Sequence, residues 1–343
     1  GPGWSSFTVY GDYFFTQEQR GEFESVTCYR VADGEAVWRH EDAIRFWEAN
    51  AGAGPRATPT LHQGRLFTLG ATAKLNVLDA ANGELIWTQD VAADTGAETP
   101  VWGFSGSPLI VDHQVIVAAA GILASYNVDT GELNWTGPDG GSGYSSPHLM
   151  TIDGSEQIVI VGTNGAFAVD PNSGSQLWHH DISGFPIVQP NQTENGDLLL
   201  SSGDAADFYR FAVSKETDSW SLEEVWRTKR MKPYFNDYVV HQGHAYGFDG
   251  RVFVCLNLED ASRAWKGARY GNGQLLFLKD QELLIVLSEE GELALVEAKP
   301  SAFTELASLE ALNQRTWNHP VLAEDVLLVR NDQEMAAYQL ERK

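Results

Sequence analysis

The sequence predicts an all-β protein: an eight-bladed β-propeller of four-stranded antiparallel blades, with the last blade incomplete. Three observations predict it. First, a phrase repeats. Leu78-Asp79-Ala80-Ala81-Asn82-Gly83-Glu84-Leu85-Ile86-Trp87 returns as Tyr126-Asn127-Val128-Asp129-Thr130-Gly131-Glu132-Leu133-Asn134-Trp135, and Gly-x-x-x-Trp also occurs at Gly34/Trp38 and Gly174/Trp178. Second, the strand ends leading into this phrase recur eight times, at Tyr29, Leu78, Tyr126, Val169, Phe211, Leu256, Val296 and Tyr338, 40–49 residues apart. A period of that length marks a repeat architecture and overrides the two-domain count that 343 residues would suggest. Third, apolar runs of four to six residues alternate with Gly/Asn turns, and helical periodicity is nearly absent.

Each unit carries four short strands. The second unit shows them as residues 58–61, 65–69, 74–78 and 84–87, with turns at Gln63-Gly64 and Asn82-Gly83. One domain is expected over 3–341, with blades at about 3–40, 55–90, 103–137, 144–181, 186–228, 236–267, 273–310 and 317–341. The turn glycine supplies the positive φ that a tight hairpin needs. The tryptophan lies on the outer strand and packs into the neighbouring blade, burying roughly 200 Å². A blade cannot cover both its faces alone, so stability comes from its neighbours. The phrase decays along the chain. Trp226 and Trp265 persist, Ala261 replaces the turn glycine of the sixth unit, and Phe303 or Leu306 is expected to take the packing role in the seventh. Residues 302–312 have some helical periodicity but fall where a fourth strand is due. The eighth unit stops at Lys343 before any outer strand. Either a strand upstream of Gly1 completes it or the blade has three strands, in which case the open edge turns a monomer toward weak dimerisation.

Composition narrows the function. The net charge is −24, which excludes a nucleic-acid binder, since a phosphate backbone needs a basic face. The basic run at residues 227–232, in the connection between blades five and six, meets an acidic partner or pairs with nearby carboxylates. No apolar run reaches eighteen residues, so the chain does not span a membrane as a helix. Gly1-Pro2-Gly3-Trp4 has no basic start or apolar segment, so a targeting segment is expected to have been removed upstream. Cys28 and Cys255 sit in apolar strands of distant repeats and read as buried free thiols.

The Asp/Asn-x-x-x-Gly-x-x-x-Trp units resemble the tryptophan-docking repeats of pyrroloquinoline-quinone-type eight-bladed propellers, over essentially the whole chain. Two branches share that fold. One comprises quinoprotein dehydrogenases, which hold the quinone and Ca²⁺ over the central axis. The other is non-enzymatic and looks like the outer-membrane assembly lipoprotein BamB, a binding scaffold. The enzyme branch implies an adjacent Cys-Cys pair, which this sequence lacks, a Glu/Asn/Asp calcium set and a tryptophan floor, to be sought at Trp102 or Trp317. The expectation is therefore a bacterial, periplasmic or extracellular binding propeller with no catalytic residue, metal or cofactor, whose partner is a protein segment or a small polar ligand. The alternative is a dehydrogenase using pyrroloquinoline quinone and Ca²⁺.

A site is expected where the innermost strands begin, because the funnel of a propeller opens on that face. The first blade's loop at residues 16–22 is charged and offers Glu18, Gln19 and Arg20. The leads into the innermost strands offer Arg56, Trp102, Ser105, Tyr144, Gln189, Asn236, Asn272, Gln274, Trp317 and Asn318. Aromatic faces among amides suit a sugar or an extended peptide. Glu18, Arg20 and Arg56 are expected to pair with one another. The plain alternative is that these groups cap strand ends. His179-His180-Asp181 is a poor metal set, since neighbours on a strand point to opposite faces. His241, His244 and Asp249 straddle a hairpin and are expected to face solvent. Gly271-Asn272-Gly273 precedes no helix and is not a dinucleotide fingerprint.

Overall fold

The turn before each tryptophan strand demands a left-handed residue, and φ is +70° at Gly34, +76° at Gly83, +74° at Gly131 and +67° at Gly174. Ala261 takes the same conformation at +56°. The structure, a computed structural model, describes residues 1–217 and 219–340. Seven four-stranded antiparallel sheets and one three-stranded sheet form the eight blades of a β-propeller. The first blade runs Thr8–Tyr10, Tyr13–Arg20, Phe23–Arg30 and Ala36–Asp42, each strand pairing with the one before. The last has Val321–Ala323, Val326–Arg330 and Met335–Gln339. Among the described residues, helix is confined to Val91–Thr95 and a 3₁₀ turn at Lys279–Gln281. No helix among them is long and apolar enough to cross a membrane.

The blades fall into two compact units, Gly1–Pro147 with Pro320–Lys343, and His148–His319. In the first unit the core is laid down between successive blades. Phe15, Val26 and Cys28 of blade one meet Leu66 and Leu78 of blade two, and Phe7, Phe14 and Tyr29 meet Ala323 and Leu328 of blade eight. In the second unit Trp178 packs with Leu198, Leu200, Tyr209 and Phe211 of blade five, and Trp265 joins the cluster of blades six and seven. The indoles tie these contacts down. Trp38 Nε1 donates to the Ala80 carbonyl at 3.1 Å, Trp87 to Val128 at 3.0 Å, Trp226 to Leu258 at 2.8 Å and Trp265 to Lys299 at 2.9 Å. Trp135 and Trp178 instead donate to glutamines of their own blades, Gln114 at 3.1 Å and Gln157 at 2.6 Å.

The seventh blade departs from expectation. Residues 302–312 contain a strand, Glu305–Glu310, whose every residue is exposed. Register places Ala307 opposite Leu295, the position held by Trp265 opposite Cys255 in the sixth blade. Neither Phe303 nor Leu306 takes the tryptophan's role. Phe303 packs back on Trp265, with ring centroids 5.5 Å apart, and Leu306 is 51% exposed. Cys28 and Cys255 are free and buried, as expected.

Candidate functional site

In the first unit the presumed loop at residues 16–22 is mostly strand. Strands Tyr13–Arg20 and Phe23–Arg30 pair out to Arg20↔Phe23, which leaves only Gly21-Glu22 in the turn. Glu18 and Gln19 are therefore buried inside a sheet. Glu18 Oε1 accepts from Tyr29 at 2.7 Å, Thr27 at 2.8 Å and Arg20 at 2.9 Å. Gln19 Nε2 donates to the Ile44 carbonyl at 3.0 Å. Arg56 does not join the Glu18–Arg20 pair. It meets Glu48 at 3.1 Å, donates to the carbonyls of Gly52 and Gly54, and lies 4.8 Å over the Phe46 ring. Trp102, Ser105 and Tyr144 do come together. The Trp102 and Tyr144 rings are 5.0 Å apart, Tyr144 Oη accepts from Trp102 N–H at 3.2 Å, and Ser105 donates to the Tyr144 carbonyl at 3.0 Å. These groups chiefly hold strand ends and connections in place.

The first unit also buries a carboxyl that sequence reasoning missed. Glu24 pairs in register with Asp42 on the next strand. Burial pushes Glu24 up to about 7, because its one inward hydrogen bond, from the Ala71 N–H at 3.2 Å, offsets little of the lost hydration, and Asp42 adds to the rise. Asp42 moves the other way. Burial works against its ionised form, but hydrogen bonds from His40, Lys74 and Asn76 hold it at about 2.

In the second unit three of the candidates, Gln274, Asn272 and Trp317, share one hydrogen-bonded frame. Gln274 is buried at the start of strand Gln274–Leu278. Its amide donates to the carbonyls of Phe235 and Trp317, both at 3.1 Å, and its Oε1 accepts from Asp237 N–H at 3.2 Å. Asn272 donates to Glu289 through its backbone at 3.2 Å and its side chain at 3.0 Å, and Trp317 Nε1 donates to Glu289 at 3.1 Å. Burial opposes ionisation of Glu289, yet the bonds from Asn272 and Trp317 and the nearby Arg251 hold its carboxyl below the usual range. The Trp317 ring meets Phe235 edge to face at 5.1 Å and carries Arg315 at 4.7 Å. Asn236 and Asn318 are both 1% exposed, and the Asn236 amide nitrogen has no partner among the described residues.

Next to this frame, and joined to it through Asp237, lies a cavity of about 260 Å³ where strands His148–Ile152, Asn191–Gln192 and Val239–His241 begin. Gln189 lines it with His148, Asn191, Gln192 and Asp237. Leu149, Met150, Pro190 and Tyr238 supply the apolar wall. The Asp237 carboxylate lies 3.6 Å from His319 Nε2. Water reaches 32% of its side chain, yet protein crowds it closely enough that burial raises its pKa, against the opposing pull of His319 and His148. Burial lowers His148, with Asp237 acting in the opposite sense. Asp237 and His319 directly follow two predicted residues, Asn236 and Asn318, and that adjacency was the available signal.

The remaining motifs resolve structurally. His179 reaches the Asn164 carbonyl at 2.7 Å while His180 packs on Phe211 at 4.5 Å, so the pair diverges as expected. His241 does not face solvent. It is buried, 3.6 Å from Glu282 and 4.8 Å from the Phe277 ring, because the hairpin folds onto the adjacent blade. In the basic run, Lys232 pairs with Asp249 at 2.7 Å and Lys229 with Asp207 at 3.8 Å.

The family model described as outer membrane protein assembly factor BamB matches residues 22–199. The chain is 25% identical over 166 residues to outer membrane protein assembly factor BamB of Shewanella oneidensis, covering 44% of this chain and 38% of that protein. It is 24% identical over 125 residues to quinohemoprotein alcohol dehydrogenase ADH-IIG of Pseudomonas putida, covering 34% of this chain and 17% of that protein. The matches thus span well under half the length of either relative. Among solved structures, BamB from Moraxella catarrhalis superposes with a TM-score of 0.66 at 14% identity, covering 99% of this chain and 95% of that one. Quinohemoprotein alcohol dehydrogenase from Comamonas testosteroni gives 0.66 at 12% identity, covering 96% and 70%. Identities this low speak for the fold alone. On the match of the family model to just over half its residues, the chain belongs to the PQQ-like-repeat propellers described as outer membrane protein assembly factor BamB.

Proposed function

We propose that this chain is a non-catalytic binding propeller, a bacterial periplasmic scaffold whose tryptophan-docking repeats hold up a recognition face. Its site is the cavity of the second unit, and its partner is a protein segment or a small polar ligand. One observation carries the reading: Gln274 Oε1 holds the Asp237 backbone N–H at 3.2 Å, while the Asp237 carboxylate remains reachable in a cavity walled by amides and apolar side chains. A braced wall around an accessible polar group is the arrangement of a preformed binding site.

The dehydrogenase branch finds less support. Cys28 and Cys255 cannot form an adjacent pair, the Trp102 ring lies against Tyr144, and Trp317 is flanked by Phe235 and Arg315. Among the described residues no three His, Cys, Asp or Glu side chains converge on a metal position. These observations support the binding reading over the quinone-dependent one.

The test is a small diazirine side chain, about the size of glutamine, placed at Gln189 in the intact protein in its host, with the same probe at exposed Tyr10 as control. A discrete crosslinked partner at Gln189 but not Tyr10 is expected. No crosslink at Gln189, or dye reduction with alcohols after adding quinone and calcium, would overturn the reading.

A further inference from the structure

The volume of the second-unit cavity limits what it can take. About 260 Å³ holds roughly eight or nine waters at about 30 Å³ each. That lies just below the range of about 300–1,000 Å³ in which whole small molecules are enclosed. It suits a single side chain or head group.

The lining decides its chemistry. Leu149, Met150 and Pro190 offer apolar contact, and Gln189, Asn191 and Gln192 offer amides. Asp237 is the one acidic residue among the lining positions, and neither Lys nor Arg is among them. The charges facing Asp237 are the imidazoles of His148 and His319, so no permanent cation answers the carboxylate. An anionic ligand would meet a like charge in a desolvated place. A neutral ligand would cover the carboxylate without pairing it, which is costly. A long side chain with a methylene stem and a cationic end satisfies both kinds of wall. The net charge of −24 draws such a group in from solution.

Resting on the binding reading above, we propose that this cavity seats one basic side chain of a partner protein segment, its ammonium or guanidinium paired with Asp237.

The test uses the intact protein and three blocked amino acids as probes: Nα-acetyl methylamides of lysine, arginine and norleucine. Binding is followed through the imidazole NMR signals of His148 and His319 at physiological salt. The lysine and arginine probes should shift both signals and bind about tenfold or more tighter than norleucine, a difference of about 1.4 kcal/mol or more. Asp237→Asn should bring them down to the norleucine level. Gln189→Trp, which fills the cavity and leaves the carboxylate, should abolish binding of all three. Equal binding of norleucine by the wild type would overturn the proposal, as would lysine binding that survives Gln189→Trp, since that would come from the diffuse acidity of the surface. If the basic probes fail while the Gln189 crosslink still captures a partner, this inference falls and the binding reading stands. If both fail, both fall.

Discussion

Replacing Glu24 with glutamine should stabilise the protein, and only above a defined pH. Glu24 is 6% exposed, with one backbone N–H donor and the Asp42 carboxylate across the strand pair. Its carboxyl is held at about 7 instead of the usual 4.5. At 1.36 kcal/mol per decade, ionised Glu24 costs the folded state about 3 kcal/mol. The sign follows from proton counting. Between 4.5 and 7 the folded chain keeps a proton that the unfolded chain has lost, so stability falls as pH rises through that window. Below it the penalty is absent, and above it the penalty is complete. Glutamine keeps the acceptor for Ala71 N–H and removes the charge. Urea titrations of both proteins, read by tryptophan fluorescence, should show little difference at pH 4.5 and a gain for the variant approaching about 3 kcal/mol at pH 8. Other groups titrate equally in the two proteins and cancel in the difference. An offset that is the same at both pH values, or that shrinks as pH rises, would refute the account of Glu24 as a desolvated carboxyl.

Other perturbations follow from single contacts. Gly83→Ala should destabilise by about 2–4 kcal/mol, since the new methyl would collide with the Trp38 ring at a φ of +76°; a loss under about 0.5 kcal/mol in denaturant titration would contradict it. Ala261→Gly, in the same turn of the sixth blade at φ +56°, should instead stabilise by about 0.5–1 kcal/mol by releasing a left-handed alanine, and a lowered melting temperature would count against this. Arg330→Met should lose about 3 kcal/mol, because the buried guanidinium donates to Thr16 Oγ1 at 2.5 Å and to the carbonyls of Gln17 and Gly3 at 3.2 and 3.3 Å. Burial pushes the Cys28 and Cys255 thiols up to about 11 and about 12; an aromatic disulfide reagent at pH 8 should therefore label neither in the native protein and both after denaturation.

The architecture was legible because its signal is local. A left-handed glycine, a bulge and a tryptophan lie within five residues, and each repeats in sequence as it does in space. The seventh blade escaped because its partner residue is Ala307, and alanine carries no mark of the place it fills. Glu18 and Gln19 were misplaced for a related reason. A run such as Gln17-Glu18-Gln19-Arg20 reads as a solvated loop, and only the two eight-residue strands Tyr13–Arg20 and Phe23–Arg30 show that it crosses a sheet whose faces are both covered. In the second unit, Gln274, Asn272, Trp317, Asn236 and Gln189 could be named as candidates because polar residues before an apolar strand stand out. Their division of labour was hidden, since which amide braces and which carboxylate stays reachable depends on contacts across some forty residues of chain.

The register shift beside the tryptophan position recurs in all seven four-stranded blades, between Cys28 and Tyr29 in the first and between Leu295 and Val296 in the seventh. These outer strands carry exposed apolar side chains, among them Val37, Ile86, Leu133, Val225 and Leu306. A flat row of that kind would template the addition of a strand from another molecule. The bulge interrupts the ladder of free N–H and C=O groups and twists it away from any flat partner. The irregularity that turns the indole toward its neighbour therefore also guards a crowded solution of this protein against edge-to-edge aggregation, and restoring regular pairing by deleting one residue from such a strand would remove both protections together.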